Sequence, residues 1–538
     1  MSKLKKVRKN MLTISLVFTM LSCIGPDFPD PDPSTSDPPK TTDPTPNMPS
    51  DNFAKSVSDI IISSFEISPE FNNNIYTEIS FINGTTFEGD QSVNYYKADL
   101  SSLKASYKTN AKKVTIGSIN QSSGITVNDF SKELTFRFYA EDGNYLEKTT
   151  HVTNPPDSYS GLPLLVLFVE DGSEIVSRET WKSGKIIIDN QSDTSIQGYE
   201  STLEIKGRGN NSWSNPKKPY ALKLTNKDPL LGMTKHKRWA ALANYSDRTL
   251  LRNRVSFEIA KRTSLAWTPN SKFVELFMNG SYRGQYLLTE QIRLDANRVN
   301  IDEDAGYLIE VDRYAAEEDE YPFRPIFSDL PLKMKEPNPA SDSQKDFIVD
   351  YFNQVEGLLY KEEPTTPDSL EYCNYIDIAS FIDWWIVQEL TGNRDSRLPG
   401  SVYMYKDKNP SDKLFAGPVW DFDISTFKGD TRFLLAEHVA TGDERALWYP
   451  QLFRDPKFRA KAKEKWNGYY PTFQTIPAFI DSEAEVINRS ANMNHILWSQ
   501  AGLGSNGDGE LDWEESVVKM KKNYSYRLER LNTLINEW

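Results

Sequence analysis

Cysteine is almost absent from this 538-residue chain, Cys23 and Cys373 being its only two. That excludes a disulfide framework and any thiolate zinc site. Histidine is nearly as scarce. The four histidines (His151, His236, His438 and His495) never stand at metal-ligand spacing, which argues against a histidine-based hydrolase. No apolar run can span a bilayer core of about 30 Å, the candidate stretch from Met11 to Leu21 being too short. Positive charge is in deficit, with 62 Lys and Arg against 76 Asp and Glu, a formal charge of -14. So acidic a chain is not expected to bind nucleic acid or an anionic membrane surface, both of which need a basic footprint. Core-forming residues are plentiful, at 38% hydrophobic and 12% aromatic, so bulk disorder is excluded. The length allows about three domains of ordinary size.

The first 22 residues read as a leader. Lys3, Lys5, Lys6, Arg8 and Lys9 precede the apolar stretch, and Leu21-Ser22-Cys23 closes it. A small residue directly before a cysteine, followed by a polar linker, resembles a bacterial lipobox. Cys23 is therefore read as a lipidated first residue, the lipid being the chain's only expected attachment to a membrane. Cys373 is then left as a free, buried thiol. Residues 24–50 hold nine prolines, five aspartates and one lysine. Fixed φ angles and like charges make this an extended spacer, which places the folded part in the cell envelope, away from its anchor.

From 51 to 155 the chain shows short alternating runs, such as Phe65-Glu66-Ile67 and Leu134 to Ala140, broken by turns at Asn83-Gly84 and Asp142-Gly143-Asn144. This pattern predicts an all-β, antiparallel sandwich, similar to the Ig-like modules of bacterial surface proteins. Asn154-Pro155-Pro156-Asp157 marks its end.

Charge reverses in the next region. Residues 206–262 carry 14 Lys and Arg and three acids (Asp228, Asp247 and Glu258), a local +11 inside an acidic chain. Interleaved with glycine, tryptophan and alternating strands, it points to an anion site, for nucleotide phosphates or for anionic glycans. Gly207 and Gly209 let backbone amides approach an oxyanion, and Arg208 can fork onto it. In the following strand, Tyr220, Leu222 and Leu224 share one face and Ala221 and Lys223 the other. A strand lysine just after a glycine loop is where a kinase keeps its phosphate lysine, and an exposed strand lysine is the alternative. Asp247 to Arg262 reads as a helix with Leu250, Leu251, Val255 and Ile259 as its stripe. Its Glu258 is free to pair with Lys223 or, at one-turn spacing, with Arg254 or Arg262. Asn279-Gly280 makes a two-residue hairpin, and Glu290 stands at its exit, where the edge of an adenine slot would lie.

The second half supplies acids. A helix over Ile378–Leu390 ends in Thr391-Gly392-Asn393-Arg394-Asp395. Further on comes Gly417-Pro418-Val419-Trp420-Asp421-Phe422-Asp423. Read as a strand, this puts Asp421 and Asp423 on one face about 7 Å apart, with Trp420 and Phe422 buried opposite. Two such carboxylates suit Mg²⁺ completed by phosphate oxygens, a hydrogen-bonded structural turn being the alternative. Asp395, 26 residues before Asp421, has the spacing of a catalytic acid ahead of a metal-binding one. Its alternative is a loop acid paired with Arg394 or Arg397. Helices are expected over Leu452–Trp466, Ile476–Asn494 and Trp513–Leu534. Ser505 to Asp512 lacks the full ligand set of a calcium loop and reads as a capped helix connection. Glu317 to Glu320 reads as a solvated loop.

Lys206 to Trp213, Lys217 to Leu224, the Asn279-Gly280 hairpin with Tyr286 and Glu290, and Gly417 to Asp423 together resemble the CotH kinase family, the spore coat protein H-like atypical kinases. The resemblance covers roughly 160–535. It implies an α+β architecture, a kinase-like two-lobed domain (small lobe about 160–300, large lobe about 301–538) behind the Ig-like sandwich. It also implies ATP with Mg²⁺ or Mn²⁺ and phosphate transfer to protein Ser/Thr outside the cytoplasm. Asp395 would be the catalytic acid, Asp421 the metal ligand and Asp423 its helper, with Lys223 on phosphate. Gly207, Arg208, Gly209, Glu258 and Glu290 would complete the ATP site. Three departures from ordinary kinases stand out: Asn393 replaces the usual His, Gly400 stands where a metal-binding Asn is usual, and Asp423 replaces the flexible Gly. The alternative is a catalytically inactive kinase fold whose basic region grips an anionic glycan or protein. Nothing in the sequence calls for an oligomer, so a monomer is expected.

Overall fold

The computed structural model describes residues 52–538 apart from 69, 73–78, 84–85, 91–99, 154–159, 192, 313–319, 362–366, 398–399, 437–446, 507 and 510. The leader, Cys23 and the spacer lie outside the described residues. So do the 154–157 boundary and Glu317, Glu318 and Asp319. The described chain mixes strands and helices, as the α+β reading expects. No helix among the described residues is long and apolar enough to cross a membrane.

The N-terminal part is β-rich. Between Ile62 and Thr153 the strands form one continuous eight-stranded sheet beside a separate two-stranded ladder. One pairing in it, Thr86–Asp90 against Tyr145–Thr153, is parallel, where an all-antiparallel arrangement was expected. Phe65, Phe136 and Phe138 meet in its core, because alternate residues of a strand face the same side.

The next seven strands close into a barrel. They are β1 (Leu164–Val169), β2 (Lys182–Asp189), β3 (Tyr199–Gly207), β4 (Tyr220–Asp228), β5 (His236–Leu242), β6 (Ser271–Met278) and β7 (Ser281–Glu290), in the order β1-β2-β3-β4-β5-β7-β6. Closure comes from the parallel pairing of β6 with β1. The interior takes one residue in two from each strand: Ile186 and Ile188, Leu203 and Ile205, Tyr220, Leu222 and Leu224, Val274 and Leu276. Lys223 falls on the outer face, as the alternation predicts. The Asn279-Gly280 turn joins β6 to β7, with Asn279 at φ 50° and Gly280 at φ 81°.

Helix α1 runs only from Arg252 to Lys261, shorter than the expected Asp247–Arg262. Asp247 to Leu251 are instead a turn, whose bend places Leu250 at φ 61°. The predicted stripe is nonetheless fully buried, in the same core as helix α3 and the C-terminal helices. That core also holds a five-stranded sheet of β8 (Tyr307–Val311), β9 (Tyr321–Phe323), β10 (Leu332–Glu336), β11 (Val402–Lys406) and β12 (Leu414–Ala416), ordered β9-β10-β8-β11-β12. Helices α2 (Asp342–Leu359), α3 (Ile378–Thr391), α4 (Pro456–Phe473), α5 (Ile476–Leu497) and α6 (Trp513–Asn536) surround it. Helix α3 stops at Gly392, whose φ of 63° is the left-handed cap glycine adopts without a Cβ penalty. Helix α4 begins four residues later than expected because Asp455 caps it and Pro456 opens it. A buried pair, Arg527 of α6 with Glu389 of α3 at 2.7 Å, ties the last helix to the central one. Cys373 is a free, half-buried thiol.

Candidate functional site

One small cleft brings the glycine turn to the second-half acids. Arg208 and Ser212 of the turn, Asn244 and Tyr245 after β5, and Asn253 of α1 face Trp420, Asp421 and Asp423 across it. Residues more than 200 positions apart in sequence thus share one site.

The segment carrying the two acids is not a strand. After β12 the chain runs irregularly, with Asp421 at φ 66° in the left-handed region, so the period-two face argument does not hold there. Trp420 and Phe422 are buried as expected, because Phe257 of α1 packs against both rings. The turn is held from behind: the Phe422 N–H donates to Asn253 Oδ1 at 2.8 Å, and Asn253 Nδ2 donates to Asn244 Oδ1 at 3.0 Å. Asn506 Nδ2 donates to the carbonyls of both Ser246 (3.1 Å) and Asp423 (2.9 Å), clamping the acidic turn to the loop after β5. Asp421 is exposed at the mouth and accepts from Ser401 Oγ at 3.2 Å.

Burial drives the Asp423 carboxyl well above the usual carboxylate range, and the charge of Asp421 adds to it, followed by Asp247 and a hydrogen bond to Asp421. Asp395 adds the smallest part of the same repulsion and does not itself line the cleft. Two carboxyls in direct contact are the donor set a cation relieves. Among the described residues no three His, Cys, Asp or Glu side chains are grouped closely enough to hold a metal by themselves. Asp421 and Asp423 fit Mg²⁺ or Mn²⁺ only with other oxygens completing the shell, the usual arrangement when phosphate is present.

Arg208 supplies the opposing charge. Its guanidinium lies 5.3 Å from the Trp420 ring. Burial lowers its pKa, and Asp421, Tyr403, Asp423 and Glu310 hold it up. The turn itself offers less than expected. The Gly207 N–H donates to Ser177 O at 2.8 Å and the Arg208 N–H to Pro219 O at 3.2 Å, so neither amide is left for an oxyanion. Gly207 is bare because the Trp213 ring covers it, and Gly209 because its φ is 80° with Ser212 against it.

Three other predicted residues lie elsewhere. Lys223 pairs with Glu204 of the neighbouring strand at 2.6 Å, both half-exposed. Glu258 takes its one-turn alternative, Arg262, at 3.1 Å, and the Lys223–Glu258 pair does not form. Glu290 is buried against Arg298 at 2.5 Å and accepts from Thr234 and from Asn270, a latch within the barrel and its exit. Asp395 sits in a short 3-10 turn, Arg394–Arg397, and its N–H donates to Asn393 Oδ1 at 3.1 Å. Arg394 pairs with Asp430.

Sequence reasoning missed Asn244, Asn253 and Asn506. No motif marks an asparagine inside a helix or loop as a clamp. For Asn506 there was a signal, the acidic loop 505–512. Asp512 does cap α6, as read, but Asp508 also binds the buried Arg252 at 2.9 Å, and Arg252 in turn binds Asp247.

Residues 205–531, well over half of the chain, match the family model described as CotH kinase protein. A search of curated proteins returns no match.

Proposed function

The chain belongs to the CotH kinase protein family, and from that premise we propose that it is an atypical kinase that transfers phosphate from ATP to protein Ser/Thr. In this reading the closed barrel and the helical body act as small and large lobes. The enzyme works outside the cytoplasm, anchored through a lipid on Cys23, with the β-rich N-terminal part as an Ig-like spacer. The observation that carries the proposal is the meeting of Arg208 with Asp421 and Asp423 in one cleft.

Phosphoryl transfer asks mainly for positioning and charge neutralisation. Asp421 and Asp423 would hold Mg²⁺ or Mn²⁺, which supplies neutralisation of the phosphate charge. Arg208, planar and always ionised, would fork onto phosphate oxygens, the part the sequence suggested for Lys223. The Trp420 and Tyr245 side chains offer flat apolar surface in the same cleft. Asp395 would orient the acceptor hydroxyl and take its proton.

The test is transfer of γ-labelled phosphate to the protein itself and to a Ser/Thr-rich acceptor, with Asp395→Asn beside the wild type. Incorporation that falls by about a hundredfold or more in the variant, the size of a general-base contribution, supports the reading. Equal incorporation by the two proteins contradicts it. The pairing of Lys223 with Glu204 favours a second reading, an inactive kinase fold that binds an anionic partner. That reading predicts no incorporation by either protein.

A further inference from the structure

Lys217, just before β4, is completely buried, which is costly for an ammonium group. Its Nζ lies 2.8 Å from the side-chain oxygen of Asn494, near the end of α5 and 277 residues away in sequence, and it also donates to the Gln285 carbonyl. The Tyr286 ring covers it at 4.5 Å. None of these residues lines the cleft.

The surroundings of Asn494 resemble a reaction site more than a packing contact. Its Oδ1 accepts the Gln285 backbone N–H at 3.2 Å as well as the lysine. Its Nδ2 is buried and has no partner among the described residues, and both polar atoms of the Gln285 side chain share that condition. Gly284 is what lets the amide come so near. A Cβ there would stand 2.6 Å from Asn494 Oδ1, and φ is 93°. Glu275 of β6, paired in register with Gln285 of β7, is fully buried and accepts from the Tyr282 hydroxyl at 2.6 Å and from Ser160.

We propose that Lys217 and Asn494 join in an intramolecular isopeptide bond, formed by the chain itself with Glu275 as the proton carrier. The neutral amine attacks Asn494 Cγ, and the new Nζ–Cγ bond pushes an electron pair onto Oδ1. The Gln285 N–H holds that oxyanion, as a backbone donor does in acyl transfer. Glu275 is hydrogen-bonded to neither nitrogen but to the Tyr282 and Ser160 hydroxyls, so in this step it swings from them to take a proton from Nζ and deliver it to Nδ2. The Cγ–Nδ2 bond then breaks with its electron pair on nitrogen, and ammonia leaves. Atoms and charge balance without an oxidant or a second reactant.

Two electrostatic effects support this. Burial brings the Lys217 ammonium down to about 7, so a reactive neutral amine is accessible near neutral pH. Burial likewise raises the Glu275 carboxyl, which suits it to hold and pass a proton. The product also removes two expensive features at once, a buried lysine charge and an orphaned amide NH₂. The bond would staple α5 to the barrel.

The experiment is peptide mapping of the full-length protein by mass spectrometry after trypsin. The expected result is a branched peptide joining Gly209–Lys223 to Ser490–Lys519, lighter by about 17 Da, the mass of ammonia lost in such a covalent change. Glu275→Gln, which keeps the side-chain shape, should give a folded protein whose two peptides run separately. Separate peptides of full mass from the wild type would overturn the proposal, whatever the variants do. A branched peptide persisting in Glu275→Gln would overturn the role given to Glu275.

Discussion

Arg208 and Lys223 separate two accounts of how phosphate is held. Lys223 is engaged with Glu204 on the outer wall of the barrel, both half-exposed. Such surface pairs contribute about 0–1 kcal/mol. Arg208 faces the acids from the turn and lies against Trp420. A charge-assisted contact to phosphate is worth about 1.5–3 kcal/mol. Arg208→Ala should therefore weaken nucleotide binding by about ten- to a hundredfold, while Lys223→Ala changes it less than about threefold, both measurable by titration calorimetry. The reverse order would return the phosphate to the lysine. Lys223 illustrates how far the sequence reaches at this scale. Strand alternation set its face correctly, but which acid it meets depends on register, Glu204 standing opposite it on β3. Glu258 failed for a related reason: Arg262, one turn away on the same helix, satisfies it locally.

Among elements, the hydrophobic patterns were the most legible. The hairpin, the α1 stripe and helices α3, α5 and α6 all stand within a few residues of their predicted ends, because periodicity and caps are local properties. The segment after β12 was not legible. Its glycine, proline and aromatics read as a strand, yet tertiary clamps from Asn253 and Asn506 shape it as an irregular turn. Closure of the barrel was also hidden, since the β6–β1 parallel pairing joins strands about a hundred residues apart. The buried joint between α3 and α6 carries a prediction. Glu389 accepts from Arg527 and from the N–H groups of Leu434 and Leu435, and all of these contacts are out of water. Arg527→Met leaves that carboxylate buried without its counter-ion, which costs about 3–5 kcal/mol. Chemical denaturation should show the loss. A change below about 1 kcal/mol would mean that the pair is not a structural joint.

For the molecule as a whole, acid is the expected weakness. His236 is buried, with its Nδ1 accepting the Arg238 N–H at 2.8 Å, so the neutral ring is the one that fits. Burial, with Arg298 beside it, lowers its pKa to about 4. The unfolded chain takes up this proton near pH 6.5 and the folded one only near 4. Stability is then full above about pH 6.5, falls as the pH drops toward 4 and levels off below it, by about 3 kcal/mol for this group. His236→Gln should flatten that part of the pH profile, and an unchanged slope would remove His236 as its source. The central claim is that Arg208, Asp421 and Asp423 form a metal-dependent nucleotide site. The most direct measurement is the melting temperature of the purified protein with ATP, with and without Mg²⁺ or Mn²⁺, beside Asp421→Asn. The account predicts a saturable rise of several degrees that needs both ATP and metal and disappears in the variant, as mass-action stabilisation requires. No rise under either metal, or an equal rise in Asp421→Asn, would contradict it.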